Sequence, residues 1–132
     1  VKTKDGASHA LFLAGYSGTF GSNADASIGS VVVGKNWVAS SIAAGAEDTG
    51  DAGFGSGDNL LNDGDTSLVA RIASITIGGV FLPGGNPLMS YGFAAEEIVK
   101  ARIGGVKAPL NAGPSNDALN LWAFPNLGLL EV

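Results

Sequence analysis

The feature that most constrains this chain is a spacing, apolar–x–x–apolar–x–apolar, which opens at Ile28 and returns three times. Ile28, Val31 and Val33 satisfy it first, then Ile72, Ile75 and Ile77. Ile98, Ala101 and Ile103 follow, and Leu127, Leu130 and Val132 close the series. The last two apolar positions of each box alternate as a half-buried strand requires, with Val32, Thr76, Arg102 and Glu131 turned the other way. The first position is an odd step away. It reaches the same inward face only if the chain bends, so each box reads as a corner followed by a strand.

A second box, apolar–x–Ala–Gly/Glu, occurs at residues 12–15 (FLAG), 42–45 (IAAG), 93–96 (FAAE) and 110–113 (LNAG). The two kinds interleave over nearly the whole chain, which is the mark of an internal repeat. The shortest step between equivalent boxes, from Phe93 to Leu110, suggests a rung of about 17 residues. The fold expected is all-β: a parallel β-helix or β-solenoid of about four short rungs, with a β-sandwich as the alternative. It forms a single domain over residues 1–132, with loop insertions at about 46–66, 80–90 and 113–126. The expected inward ladders are Ile28/Ile72/Ile98/Leu127, Val31/Ile75/Ala101/Leu130 and Val33/Ile77/Ile103/Val132, with Gly34, Gly78 and Gly104 as a turn ladder. The loop at residues 114–125, carrying Leu119, Leu121, Trp122 and Phe124, is apolar enough to cap an end of the stack or to meet a neighbouring subunit.

Composition supports this and narrows the function. The 21 glycines among 132 residues are about twice the usual share and suit short strands joined by tight turns. No apolar run approaches the ~20 residues of a membrane helix, so membrane insertion is not expected. Without cysteine there is neither a disulfide framework nor a thiolate metal site. The net charge of −5 disfavours nucleic acid and anionic membrane as partners. Glu47, Asp48, Asp51, Asp58, Asp63 and Asp65 all fall in one stretch that contains no basic residue.

The segments IGSVVVGKNWVASSIAAGAE, RIASITIGG and FAAEEIVKARIGG resemble the C-terminal rungs of large repetitive bacterial proteins that are secreted or surface-borne and run as parallel β-helices. The resemblance spans roughly residues 10–132. It implies an extracellular or cell-surface location and a structural or adhesive role. It brings no catalytic residues.

The best chemical candidate is the acidic loop at residues 47–65, EDTGDAGFGSGDNLLNDGD. Hard cations such as Ca²⁺ take six to eight oxygen ligands, and glycines let a loop wrap round the ion. Asp48, Asp51, Asp58 and Asn59 are the candidate ligands, with Asn62, Asp63 and Asp65 as alternates; the competing reading is a solvated turn. The spacing fits no EF-hand, and Phe54 and Ser56 break the nonapeptide of Ca²⁺-binding β-rolls. His9, the sole histidine, reads as a packed or surface residue. Glu96 and Glu97 are adjacent on a strand and so face opposite ways. Lys100 and Arg102 share a face and read as a surface charge pair. Tyr16, Phe20, Trp37, Phe54, Tyr91 and Trp122 are loop anchors, or a sugar-binding platform if several line one face.

The function expected is therefore a non-enzymatic structural or interaction module that self-associates as a homo-oligomer or filament through its rung edges. Two alternatives stand beside it. One is a Ca²⁺-dependent carbohydrate-binding or adhesive module with a polysaccharide partner. The other is a polysaccharide lyase or hydrolase built on a β-helix, with a groove joining the acidic loop to Lys100 and Arg102.

Overall fold

The alternation at residues 28–33 and 71–77 builds the strands around which the rest is laid. A computed structural model describes residues 1–18, 20–49, 52–62, 64–121 and 127–132. Among these there is no helix. The chain runs through β1 (Lys2–Thr3), β2 (Ala7–Ser8) and β3 (Leu11–Ala14), then a small hairpin, β4 (Tyr16–Ser17) and β5 (Phe20–Gly21). A second pass follows with β6 (Ile28–Val33), β7 (Trp37–Val38) and β8 (Ser41–Ala44), extended by β9 (Ala46–Glu47) and its antiparallel partner β10 (Asn59–Leu60). A third comprises β11 (Arg71–Ile77), β12 (Phe81–Leu82) and β13 (Tyr91–Ala95). The last comprises β14 (Glu97–Ile98), β15 (Ala101–Ile103), β16 (Val106–Lys107), β17 (Ala118–Asn120) and β18 (Leu127–Glu131).

Equivalent strands of successive passes pair in parallel. The first sheet orders β1-β6-β11-β15-β16, with β14 also on β11; the second orders β12-β7-β2, and the third β17-β18-β13-β8-β3. Register is kept from pass to pass. Lys2 lies beside Val32, Ala7 beside Trp37 and Leu11 beside Ser41, each pair thirty residues apart. The repeat is thus longer than the 17 residues suggested by the boxes, because each of the first three passes contains a second short strand, β2, β7 or β12. Two-residue strands such as Trp37–Val38 are too brief to carry a period.

All three of the expected ladders form as far as their third members. Ile28, Ile72 and Ile98 are in register, and so are Val31, Ile75 and Ala101; Val33, Ile77 and Ile103 form the next row. All but Ile28 are buried, while Thr76 and Arg102 between them are exposed. The fourth members are elsewhere. Leu127 lies beside Tyr91, and Leu130 beside Ala94, so the closing LGLLE is a strand of the third sheet. The FLAG, IAAG and FAAE boxes register there as Phe12, Ile42 and Phe93, and the place expected for Leu110 is taken by Leu129. Residues 110–113 form no strand. Asn111 is instead tied to the buried Asp117 carboxylate through its amide N–H (2.8 Å) and Nδ2 (2.7 Å).

The third sheet explains its own composition. β8 and β13 are buried at every residue, which requires both faces to be covered and removes any reason to alternate polar with apolar. On the inner side, Phe12, Trp37, Phe93 and Phe81 stack with ring centroids 5.5–6.0 Å apart. Trp37 is fully buried, and its Nε1 donates to the Ser40 carbonyl at 2.8 Å. On the outer side, Ala43, Ala46 and Ala94 lie under Phe54. Among the described residues, the two flanking sheets end in antiparallel strands at one end only: β16 on the first and β17 on the third. At the other end, β1, β2 and β3 are the last strands of their sheets.

Candidate functional site

The acidic loop lies across the outer face of the third sheet. Its apolar anchor is Phe54, which is buried against Ala43, Ala46 and Ala94 and meets the Tyr16 ring edge-on at 6.3 Å. The glycines permit this approach. Gly55 sits on the backbone at Gly92 and Gly128, and a Cβ on Gly128 would fall inside the Gly55 carbonyl. A further backbone bond, from Ser90 N–H to the Ala52 carbonyl (2.7 Å), ties the loop to the insertion before β13.

The candidate ligands are used within this strap. Asp48 Oδ2 accepts from the Gly53 amide, and Asp58 Oδ2 accepts from the Gly55 amide, each at 2.7 Å. Asn59 donates through Nδ2 to Thr49 Oγ1 (2.7 Å), whose hydroxyl donates to the Gly57 carbonyl (3.1 Å). Asp58 is buried, whereas Asp48 and Asn59 are exposed. Asp51 and the alternate Asp63 lie outside the described residues. Among the described residues, no three acidic or histidine side chains converge as a metal-binding group. Asp65 serves a turn further on: Oδ1 accepts from the Ser67 amide and hydroxyl, which holds its carboxyl below the ordinary range. Asn62 lines the same hollow as Asp25 and Asp65.

The strap leaves an electrostatic mark on Tyr16. Its hydroxyl donates to the Ala46 carbonyl at 2.7 Å. Burial, followed by the charges of Glu47, Asp58 and Asp48, pushes the phenol above its ordinary value. Between the strap and β3 runs a groove of about 410 Å³, lined among others by His9, Leu11, Asp48, Met89 and Tyr91. His9 Nδ1 shares a hydrogen bond of 2.9 Å with the neighbouring Ser8 hydroxyl.

The other candidates are dispersed. Glu96 Oε2 accepts from the Ala70 amide (3.0 Å), while Glu97 forms an ion pair with Arg71 across β14 and β11. The acidic strap covers the third sheet, whereas Lys100 and Arg102 stand with Thr76 on the first. Of the six aromatics, Trp37, Phe54 and Tyr91 are buried, Tyr16 is half-buried and Phe20 is exposed; Trp122 lies outside the described residues.

Sequence reasoning overlooked a buried carboxylate near the chain's end. Glu131 Oε1 accepts from the Ile98 amide (2.8 Å) and Oε2 from the Asn116 amide (3.1 Å), so one side chain joins β18, β14 and the loop before β17. Its strand position predicted an outward side chain, but the neighbouring loop covers it. No family model, curated protein or solved structure matches the chain.

Proposed function

We propose that the chain is a parallel β-solenoid acting as a non-enzymatic structural and interaction module, and that the edge formed by β1, β2 and β3 is its attachment surface. The observation carrying this reading is the asymmetry of the two ends. At one end, β16 and β17 pair antiparallel with the last strands of two sheets and so occupy the positions a continuing parallel rung would need. At the other, the edge strands lead directly into the aromatic stack through the half-buried Phe12, and Leu11 on β3 is 58% exposed. An open strand edge beside an apolar core is a template for another strand.

The occupant we assign is a second copy, meeting end to end with the same surface. Head-to-tail stacking would need the end that β16 and β17 fill. On this proposal self-association through that edge is closed and two-fold, the homo-oligomer of the two forms expected from sequence. An extracellular or cell-surface setting belongs to the same proposal and rests on the likeness of its boxes to bacterial surface rungs.

Sedimentation across a hundredfold range of concentration tests the surface. A monomer–dimer equilibrium is expected, with dissociation at least tenfold weaker in Leu11→Lys, which puts a charge on the open edge. Hydrogen exchange should slow at β3 amides on dimerisation. A monomer at every concentration, or a dimer indifferent to Leu11→Lys, would overturn the assignment.

A further inference from the structure

The sequence is acidic overall, yet its basic residues are not scattered. All seven lysines and arginines belong to the first sheet or its adjoining turns: Lys2 on β1, Lys4 just after it, Lys35 after β6, Arg71 on β11, Lys100 before β15, Arg102 on β15 and Lys107 on β16. All seven are exposed. Among the described residues two ion pairs occur, Lys35 with Asp5 and Arg71 with Glu97. Both use carboxylates on this same side. Among the described residues, Lys2, Lys4, Lys100, Arg102 and Lys107 form no ion pair.

Register sets where the charges stand. The outward row of the first sheet runs Lys2, Val32, Thr76, Arg102, Lys107 across five hydrogen-bonded strands. At ~4.8 Å per strand, Lys2 stands about 14 Å from Arg102, and Lys107 is the next residue beyond it. Lys100, Arg102 and Lys107 close round Thr76 in a shallow concavity of about 270 Å³. The guanidinium is held in place there: Arg102 Nη1 donates to the Gly105 carbonyl at 2.7 Å, over the β15–β16 turn. Ser30 and Ser74, in register on the same face, add hydroxyls between the cations.

Three cations and a hydroxyl around one hollow form a receptor for an oxyanion, with Arg supplying a planar fork and the lysines point charges. The wider face selects the carrier. It has no aromatic ring on which a base could stack, which argues against single-stranded nucleic acid. A chain that carries both carboxylates and hydroxyls matches a face on which Thr76, Ser30 and Ser74 stand among the cations. We propose that the outward face of the first sheet binds an acidic glycan, seating a carboxylate or sulfate group at Lys100, Arg102 and Lys107 and running along the strand stack towards Lys2.

The test is calorimetric titration of the wild-type protein with oligogalacturonate, with its neutral methyl ester, with free galacturonate and with inorganic sulfate. Oligogalacturonate should bind, and the affinity should fall steeply with salt. The triple variant Lys100→Gln/Arg102→Gln/Lys107→Gln should lose at least tenfold, while Lys35→Gln, which removes a cation already paired with Asp5, should change it less than twofold. These side chains are exposed, so an unchanged Tm identifies the loss as one of contact. Free sulfate binding as tightly as the oligomer would make this a small-ion site and overturn the glycan assignment. Tighter binding of oligonucleotide would overturn it too. So would a protein–protein association abolished by the triple variant, which would assign the face to an acidic surface of a second copy.

Discussion

Glu131 is a single residue on which three segments converge. Two backbone amides donate to its carboxylate, and Asp117 stands beside it. Burial dominates the balance and raises its pKa above the ordinary 4.5; the amides from Ile98 and Asn116 oppose the rise and the charge of Asp117 adds to it. The folded state thus holds this proton more tightly than the unfolded one. Its stabilising effect is full below about pH 4.5 and is lost as pH rises through the raised value. Replacing Glu131 by Gln should remove that slope and cost about 1–3 kcal/mol, since an amide group cannot accept both backbone N–H groups. Urea unfolding of both proteins between pH 4 and 7.5 checks this. A difference between them that stays constant with pH would sink the titration argument, and no difference would sink the structural one.

Among elements, the acidic strap shows how a segment's packing can stay hidden when its composition is plain. Asp, Asn and Gly suit an ion-binding loop and a turn equally well. What fixes the loop's place is Phe54, whose position over Ala43 and Ala94 depends on a sheet that sequence shows only as small apolar boxes. The strap is held by this ring, by glycine-on-backbone packing and by its own carboxylate–amide bonds. Phe54→Ala should therefore cost about 3 kcal/mol. It should also bring the Tyr16 phenol back towards its ordinary value, followed by ultraviolet absorbance in an alkaline titration, because the ring that shields it is gone. A Tm rise specific to Ca²⁺, absent with Mg²⁺ and reversed by EDTA, would make the loop a metal site; no shift would make it a solvated turn. The same contrast explains the strands. β6, β11 and β15 were legible because one face is wet and one dry, which writes a period of two. β8 and β13 are dry on both faces and carry no period, so the box alone could not distinguish residues 110–113 from residues 127–131 as the fourth member. The basic row was illegible for another reason: Lys2, Arg102 and Lys107 become neighbours only once the register of five strands is known.

At the scale of the molecule, the two ends are built differently, and the antiparallel strands can be tested apart from the core. β16 and β17 add antiparallel pairs to finished sheets, so they contribute edge protection more than core. Val106 on β16 is 67% exposed, and Leu119 on β17 is half-buried. Proline at both positions removes an amide from each strand and is incompatible with regular ladder pairing. If these strands are what stops growth, Val106→Pro/Leu119→Pro should open the closed end while leaving the Trp37 and Phe93 stack intact. The proposed dimer would then give way to larger assemblies whose mean size rises with concentration, since an open edge at each end permits heterologous stacking without closure. Near-ultraviolet circular dichroism reports the aromatic stack, and light scattering reports the assembly. Scattering unchanged with a native aromatic signal would mean that growth is blocked elsewhere, and the antiparallel strands would lose their role as the terminator.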